Sequence, residues 1–304
     1  MLRSNKKILM IAGGTGGHIY PGIAIADYLK TKGWLIVWLG TKHGMENRLI
    51  EAKPYQKAMI DITGVRGKSI LSWLKLPSTL FIACIQCAKV IREEKPDVVI
   101  AMGGYVSFPG GFVARIMRKP LIVHEQNSIP GLTNRLLAII ATRIYSAFPI
   151  KLIKTSYKIG NPVRDSISNI KEPFSRFKNR KGPLRLLVVG GSLGAKFFND
   201  IVPLSIQQIH NKKRPIIIHQ SGEKHDKELK ATYKKYGVKA DCRAYLNNIE
   251  KMYEWADLVI ARAGALTVSE FSSAGIASIL VPFPFAVDNH QFYNAKYLSD
   301  KKAA

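Results

Sequence analysis

One local pattern occurs in both halves of the chain and limits the folds that it can adopt. Residues 8–17 read ILMIAGGTGG and residues 186–195 read LLVVGGSLGA, so each apolar run is followed by two glycines, a hydroxyl residue and a further glycine. A helical pattern follows in both places. Short buried strands that alternate with helices predict parallel sheets covered on both faces. The repeat therefore predicts an α/β protein with two doubly wound, Rossmann-like domains and an inter-domain cleft.

The length of 304 residues also favours two domains, because a single core rarely holds so many. Further apolar strands are predicted at residues 35–39, 58–62, 98–102, 121–124, 143–148, 215–219, 258–261 and 278–281. The polar segment 171–183 is predicted to be a surface loop near the junction. The domain boundary is placed close to residues 161–164, which gives domains of 1–163 and 164–304.

Composition bounds the partners and the compartment. Lysine and arginine total 46 against 21 acidic residues, and the formal net charge of +25 indicates either a polyanionic partner or a lysine-rich proteome. The three cysteines are too few for a disulfide framework and indicate a reducing compartment. Cys84 and Cys87 lie in an apolar helical pattern and are expected to pack in a core rather than to bind metal.

The apolar stretch at residues 70–91 invites comparison with a membrane span. Lys75 and Pro77 interrupt it, and Gln86 and Lys89 follow, whereas a spanning helix needs about 20 mostly apolar residues. The stretch therefore predicts an exposed apolar loop that leads into a buried amphipathic helix. The apolar run near the N-terminus is too short to be expected to act as a signal peptide.

Glycine-rich turns follow two strands of the first half. The sequence GGTGGH at residues 13–18 lets the backbone approach a phosphate, and it opens a helix whose N–H groups can bind one. It lacks the third glycine of the dinucleotide fingerprint, so it indicates either a diphosphate site or only a tight turn. Gly103, Gly104 and Tyr105 repeat the arrangement after a later strand. His18 could be a general base near neutral pH or a structural residue.

A polar cluster, HEQN at residues 124–127, follows another strand. Glu125 is a second candidate base, and Gln126 and Asn127 could bind sugar hydroxyls. The alternative is that these residues only end the strand.

Phosphate-binding and ribose-binding groups are also predicted in the second half. Ser192 could bond a phosphate oxygen, and residues 266–268 would present N–H groups at the start of a helix. Glu270 could accept hydrogen bonds from ribose hydroxyls, although Thr267 and Glu270 also fit a helix-capping box. Residues 288–291 open the last helix with groups that suit a sugar. The sequence has no D-x-D pair or His/carboxylate cluster, so no metal or other cofactor is expected.

A series of motifs in this order resembles the MurG family of glycosyltransferases, within glycosyltransferase family 28. The motifs are GGTGGHIYPGIAIA, ITGVRGK, MGGYVSFPGG, HEQNSIPGLTN, GNPVR, VVGGSLGA, HQSG, ARAGALTVSE and DNHQFYNA. The resemblance covers essentially the whole chain and implies a GT-B fold and an inverting, metal-free transfer. The donor would be UDP-N-acetylglucosamine (UDP-GlcNAc). The acceptor would be lipid I, a muramyl-pentapeptide on undecaprenyl diphosphate, and the product lipid II, a precursor of cell-wall peptidoglycan.

The same resemblance implies roles for individual residues. His18 matches the family's proposed base, and Glu125 is the less favoured candidate. The acceptor diphosphate is expected at the glycine turns, on Gly14, Gly103, Gly104 and Tyr105. Donor contacts are expected on Thr15, Gly16, Gly17, Asn127, Arg164, Ser192, Leu246, Ala265, Leu266, Thr267, Val268, Ser269, Glu270 and Gln291.

The resemblance also implies a place of action. The family docks on the cytoplasmic face of the bacterial inner membrane through an apolar patch with basic neighbours, which residues 64–82 and the charge of +25 would provide. An anionic membrane surface is thus an expected partner, and nucleic acid is not. Because the family extends several tens of residues beyond Ala304, the second domain is expected to be either truncated or divergent at its end.

Two alternatives remain open. A UDP-GlcNAc 2-epimerase could share the fold, but it would need carboxylates for proton movement at the sugar ring and would need no docking patch. A basic nucleic-acid-binding or scaffold protein would account for the charge. Such proteins show aromatic or basic stripes, whereas the glycine turns of this chain point to small phosphates.

Overall fold

The structure, a computed structural model, describes residues 6–64, 74–190 and 195–304, and the chain divides into two compact units after Pro162. The strands of the first unit are β1 (Lys7–Ile11), β2 (Leu35–Thr41), β3 (Gln56–Ile60), β4 (Val98–Ala101), β5 (Leu121–Glu125), β6 (Arg143–Ser146) and β7 (Tyr157–Lys158). They form one parallel sheet in the order β3-β2-β1-β4-β5-β6-β7. The described helices are α1 (Gly16–Thr31), α2 (Met45–Leu49), α3 (Leu76–Glu94), α4 (Ser107–Ile116) and α5 (Leu132–Ile140).

The second unit has a smaller parallel sheet in the order β10-β9-β8-β11-β12. Its strands are β8 (Arg185–Val189), β9 (Ile216–Gln220), β10 (Asp241–Arg243), β11 (Leu258–Ala261) and β12 (Ser278–Leu280). Its described helices are α6 (Asp165–Ser168), α7 (Pro173–Phe177), α8 (Lys196–Gln207), α9 (Asp226–Lys235), α10 (Ile249–Trp255), α11 (Ala265–Ala274) and α12 (His290–Ser299), with short 3-10 turns at Asn211–Lys213 and Val287–Asn289.

Both faces of each sheet are buried, which explains why its strands are apolar throughout. Along β1, Leu9 and Ile11 point into one core cluster, while Ile8 and Met10 point into another. Because successive side chains of a strand face opposite ways, this alternation places β1 between two layers of helices. Strand β8 behaves in the same way, since Leu187 belongs to one cluster and its neighbours Leu186 and Val188 to the other.

Two stretches singled out in the sequence take the following form. The segment 171–183 is not wholly a loop, because Pro173 starts the short helix α7. Helix α3 contains Cys87 in the core, where burial raises the pKa of its thiol to about 12, so the expected packing role is confirmed. The N-terminal part of the apolar stretch, residues 70–73, lies outside the described residues. Within the described part of the chain, no helix is long and apolar enough to span a membrane.

Candidate active site

The two glycine turns of the first unit lie against each other. Strands β1 and β4 are parallel neighbours, so the turns that follow them leave the same edge of the sheet. Gly104 has φ +80°, and a Cβ atom there would lie 2.4 Å from the carbonyl oxygen of Gly13. Gly103 and Gly14 also have positive φ, at +107° and +89°. Only glycine combines this backbone conformation with so close an approach, so the turns need these residues.

His18 lies in the first turn of α1, where it is half-buried between the glycine turns. A Cβ atom on Gly103 would be 2.9 Å from its Cε1, so the glycine makes room for the imidazole. His18 Nδ1 is 2.9 Å from Gln126 Oε1. Thr15 is the N-terminal cap residue of α1, and Gly16 and Gly17 begin the helix. These residues thus lie together, and the base candidate is beside both turns.

Gln126 is buried and has its polar groups occupied within the protein. Its Nε2 donates to the carbonyl oxygen of His124 at 3.0 Å and lies 3.1 Å from His124 Nδ1. The backbone carbonyl oxygen of Gln126 accepts a hydrogen bond from Asn161 Nδ2 at 3.1 Å. With 1% of the residue exposed, Gln126 cannot reach a sugar hydroxyl, so that expectation is wrong. Burial lowers the pKa of His124 to about 4.

In the second unit, Glu270 is buried beside a cation and a phenol. Its Oε1 accepts from Arg164 Nη2 at 2.9 Å, and its Oε2 accepts from Tyr253 at 3.2 Å. Burial raises the pKa of this carboxyl, and Arg164 opposes the shift. The ion pair keeps a negative charge in place, and each carboxylate oxygen retains lone pairs for a further donor.

Helix α11 begins at Ala265, and Gly264 is its cap residue. The capping-box alternative is therefore wrong, because Thr267 lies inside the helix. The N–H of Val268 donates to the carbonyl oxygen of Gly264 at 3.0 Å and is not available to a ligand. Leu266 and Thr267 belong to the first turn, whose N–H groups have no partner within a helix.

The remaining donor-side residues differ in what they could offer. Leu246 is buried in the core of the second unit, so only its backbone could meet a base. Gln291 is the second residue of α12, and its Oε1 accepts a hydrogen bond from the N–H of Phe283 at 2.9 Å. Ser269 Oγ donates to the carbonyl oxygen of Ala265. Ser192 lies outside the described residues.

Comparison with known proteins identifies the family of this chain. Residues 8–146 match the glycosyltransferase family 28 N-terminal domain, and residues 185–304 match the glycosyltransferase family 28 C-terminal domain. A protein of Nitrosospira multiformis is 51% identical over 299 residues, which are 98% of this chain and 84% of the relative. This chain belongs to glycosyltransferase family 28.

The family-28 relatives have informative names. Those of Nitrosospira multiformis and of Dechloromonas aromatica, which is 51% identical over 97% of this chain and 83% of its own length, are both called UDP-N-acetylglucosamine–N-acetylmuramyl-(pentapeptide) pyrophosphoryl-undecaprenol N-acetylglucosamine transferase. The crystal structure of Acinetobacter baumannii MurG matches with a TM-score of 0.83 and 36% identity, covering 97% of this chain and 84% of that one. The expected GT-B fold class is confirmed.

A putative UDP-N-acetylglucosamine 2-epimerase from Listeria monocytogenes also matches, with a TM-score of 0.61. It covers 99% of this chain and 90% of that one, but only 13% of residues are identical. That likeness shows a shared fold alone, and the family is instead decided by the far more similar transferases.

Glu125, the second candidate base of this family-28 chain, holds a loop in place. Its Oε1 accepts from the backbone N–H of Asn127 at 2.8 Å, with Asn127 Nδ2 3.4 Å away. Its Oε2 accepts from the N–H of Gly131 at 3.1 Å and from Asn134 Nδ2 at 2.8 Å. The residue is 1% exposed. These contacts argue against a base, because a hydroxyl could not reach the carboxylate without displacing the loop.

Glu46 is a site residue that the sequence analysis misses. It is fully buried, and its Oε1 accepts from both the N–H and the hydroxyl of Thr41 at 2.8 Å. The N–H of Gly14 points to its Oε2 at 3.4 Å. A Cβ atom on Gly13 would lie 2.9 Å from Oε1, so the carboxylate supports the turn from below. The glycines around it, Gly40 and Gly44, are the one sequence signal that a bulky buried group needs room here.

Tyr105 lines a cavity of about 250 Å³ beside the glycine turns. Its ring would lie 3.3 Å from a Cβ atom on Gly14. The other lining residues are Thr41, Lys42, His43, Ile60, Asp61, Ile62, Thr63 and Thr79. Lys42 forms an ion pair with Asp61 at the rim. Across the described ranges, no group of three or more histidine, cysteine, aspartate or glutamate side chains is placed to hold a metal ion.

Proposed function

We propose that this chain transfers N-acetylglucosamine from UDP-GlcNAc to lipid I, the muramyl-pentapeptide on undecaprenyl diphosphate. The product is lipid II, which serves peptidoglycan synthesis. The observation that carries the proposal is the near-complete match, at 51% identity, to relatives named for this transfer. The position of His18 beside two phosphate-type turns supplies the chemistry that such a transfer needs.

The proposed reaction is a direct displacement with His18 as base. Its Nε2 takes the proton from the 4-hydroxyl of the muramyl sugar, and the oxygen attacks the anomeric carbon of the donor sugar. The bond from that carbon to UDP breaks, its electron pair stays on the diphosphate, and the configuration inverts. The residues expected to hold the acceptor diphosphate are Gly14, Gly103, Gly104 and Tyr105.

In this proposal the second unit, residues 164–304 in the sequence-based division, binds the donor. Glu270 would accept from the ribose hydroxyls, and Arg164 would hold its charge in place. The first turn of α11 would stabilise the charge that develops on the departing UDP, because helix N-termini carry a partial positive charge. Residues 1–163 would bind the acceptor and supply the base.

The test is transfer of labelled GlcNAc to a lipid I analogue by this chain, in the presence of a chelator. His18→Ala should lower kcat by roughly 10²- to 10⁴-fold, which is the usual contribution of a positioned general base. The matched control is His210→Ala, a histidine exposed on the surface of the second unit. Unchanged turnover in His18→Ala would rule out this base, and transfer to another acceptor class alone would overturn the assignment.

We also propose that the first unit docks on an anionic membrane, at the cytoplasmic face of the bacterial inner membrane. Helix α4 packs against both α3 and α5. On α3 the side chains of Phe81 and Ile85 are 68% and 55% exposed, and on α4 Ile116 is 65% exposed. Arg115 and Lys154 line a surface groove together with Ile116. Exposed apolar side chains next to cations suit an interface of acyl chains and acidic headgroups.

Vesicle binding tests the docking surface. The double variant Phe81→Ser with Ile85→Ser should bind phosphatidylglycerol vesicles at least about tenfold more weakly, because each apolar side chain contributes on the order of 1.5–3 kcal/mol when buried. Transfer to a water-soluble acceptor analogue should be unaffected. Phe174→Ser is the control, since Phe174 is 81% exposed on the second unit. Equal loss of vesicle binding in both variants would contradict the proposal.

A further inference from the structure

The side-chain amide of Gln126 lies between two histidines, and its orientation can be deduced. Its Nε2 is 3.0 Å from the carbonyl oxygen of His124, an atom that can only accept hydrogen bonds. The amide must therefore turn its N–H groups toward His124 and its Oε1 toward His18 Nδ1, at 2.9 Å. Because Oε1 also can only accept, His18 Nδ1 must carry a hydrogen.

His124 has the complementary form. Its Nδ1 faces the amide N–H of Gln126 at 3.1 Å and accepts, while its Nε2 donates to the carbonyl oxygen of Gly160 at 3.0 Å. The ring is 2% exposed, and burial keeps it neutral by lowering its pKa. A hydrogen on both nitrogens would place two donors face to face. The direction of every hydrogen bond from Gly160 to His18 is thereby determined.

We propose that Gln126 and His124 are positioning residues that hold His18 in the tautomer with its hydrogen on Nδ1. This form leaves a lone pair on Nε2, the ring nitrogen that does not contact Gln126. An imidazole in water favours the opposite tautomer, whose Nε2 could not accept a proton. This positioning role rests on the proposed function, because it explains how Nε2 of His18 is kept able to accept the proton of the acceptor hydroxyl.

The tautomer can be measured directly by nitrogen-15 NMR of the full 304-residue chain with labelled histidine. The seven histidines are resolved by their ring nitrogens, and loss of signals in His18→Ala identifies His18. We expect a protonated Nδ1 and an unprotonated Nε2 for His18, and the reverse for His124. In Gln126→Met, His18 should shift toward the form with its hydrogen on Nε2.

A wild-type spectrum with the hydrogen of His18 on Nε2 would overturn the proposal, whatever the variants do. Gln126→Met without any change in the His18 signals would overturn it as well. A variant that fails to fold leaves the wild-type spectrum to decide.

Kinetics supply the second readout. Gln126→Met should lower kcat by at least about tenfold, part of the effect of a general base, while KM for UDP-GlcNAc stays within about twofold. Gln208→Met, on the exposed end of α8, is the matched control and should match the wild type. If His18→Ala retained full turnover, the assignment of His18 as base would be wrong, even where the spectrum shows the hydrogen of His18 on Nδ1. If His18→Ala were inactive but the tautomer wrong, only the positioning role would fail.

Discussion

Three buried glutamates of this chain have different partners and therefore different roles. Glu46 and Glu125 accept hydrogen bonds from backbone N–H groups and uncharged side chains, and both hold glycine-containing segments in place. Glu270 instead faces the guanidinium of Arg164. A cationic partner offsets part of the cost of burying a charged carboxylate, and the carboxylate can still accept a hydrogen bond from a hydroxyl. Glu270 is thus the one of these three that suits a ligand.

Replacement of Glu270 by glutamine tests this role. Glu270→Gln should weaken UDP-GlcNAc binding by about 10- to 100-fold, since hydrogen bonds to a charged acceptor contribute roughly 1.5–3 kcal/mol. The acceptor's KM should change little. Calorimetric titration with UDP-GlcNAc measures the first quantity and initial rates measure the second, with the exposed Glu223→Gln as control. Equal effects on donor and acceptor would argue against a ribose contact.

At this scale the sequence predicts some residues of the site and misses others. It predicts the glycine turns and His18, because strand ends in parallel sheets meet at one edge. Without the family resemblance, the motifs leave Glu125 open as a base beside His18, because the groups that occupy Glu125 come from residues six and nine positions further along, Gly131 and Asn134. Glu46 escapes prediction for a related reason, since its support of Gly14 depends on contact between helix α2 and the turn that follows β1.

Among the secondary-structure elements, those with a clear apolar pattern can be predicted from the sequence. The central strands β1, β4 and β8 are apolar on both faces and are predicted from the sequence alone. The edge strands β7 and β10, of two and three residues, have no periodicity of their own. They form because a neighbouring strand offers its free backbone groups, which is a property of the folded sheet.

Helix starts are predicted less well than strands. At α11 the threonine and glutamate pattern favours a cap at Thr267, whereas the helix begins after Gly264. The strand β11 ends at Ala261, so the chain has only a short turn in which to reverse before the helix packs back on the sheet. The tertiary connection therefore overrides the local capping preference, and it leaves the helix start close to the strand end.

On the scale of the whole molecule, each unit buries a neutral histidine. His219 of the second unit is fully buried, with its Nδ1 2.9 Å from the hydroxyl of Tyr233, and burial lowers its pKa to about 3. An unfolded chain binds the proton near pH 6.5. Between these values the unfolded state holds more protons, so the free energy of unfolding falls as the pH falls, by up to about 1.4 kcal/mol per pH unit.

We therefore predict that His219→Gln reduces the acid sensitivity of the second unit. From about pH 6 to about pH 5, the variant should lose roughly 1 kcal/mol less stability than the wild type. Hydrogen exchange at the amides of β9 reports on this unit, which matters because two units can open separately. The exposed His210→Gln should behave as the wild type does. An identical acid response in His219→Gln and the wild type would refute the assignment.

The strand order of the first sheet has a consequence for synthesis on the ribosome. Strand β1 is made first but lies in the middle, and its two neighbours are β2 and β4. The sheet therefore cannot close on both sides of β1 until residues 98–101 have left the exit tunnel. All seven strands of this sheet end by residue 158, so they can pair while the second unit is still being translated. A pause in translation beyond that point would give the nascent chain time to fold the first unit.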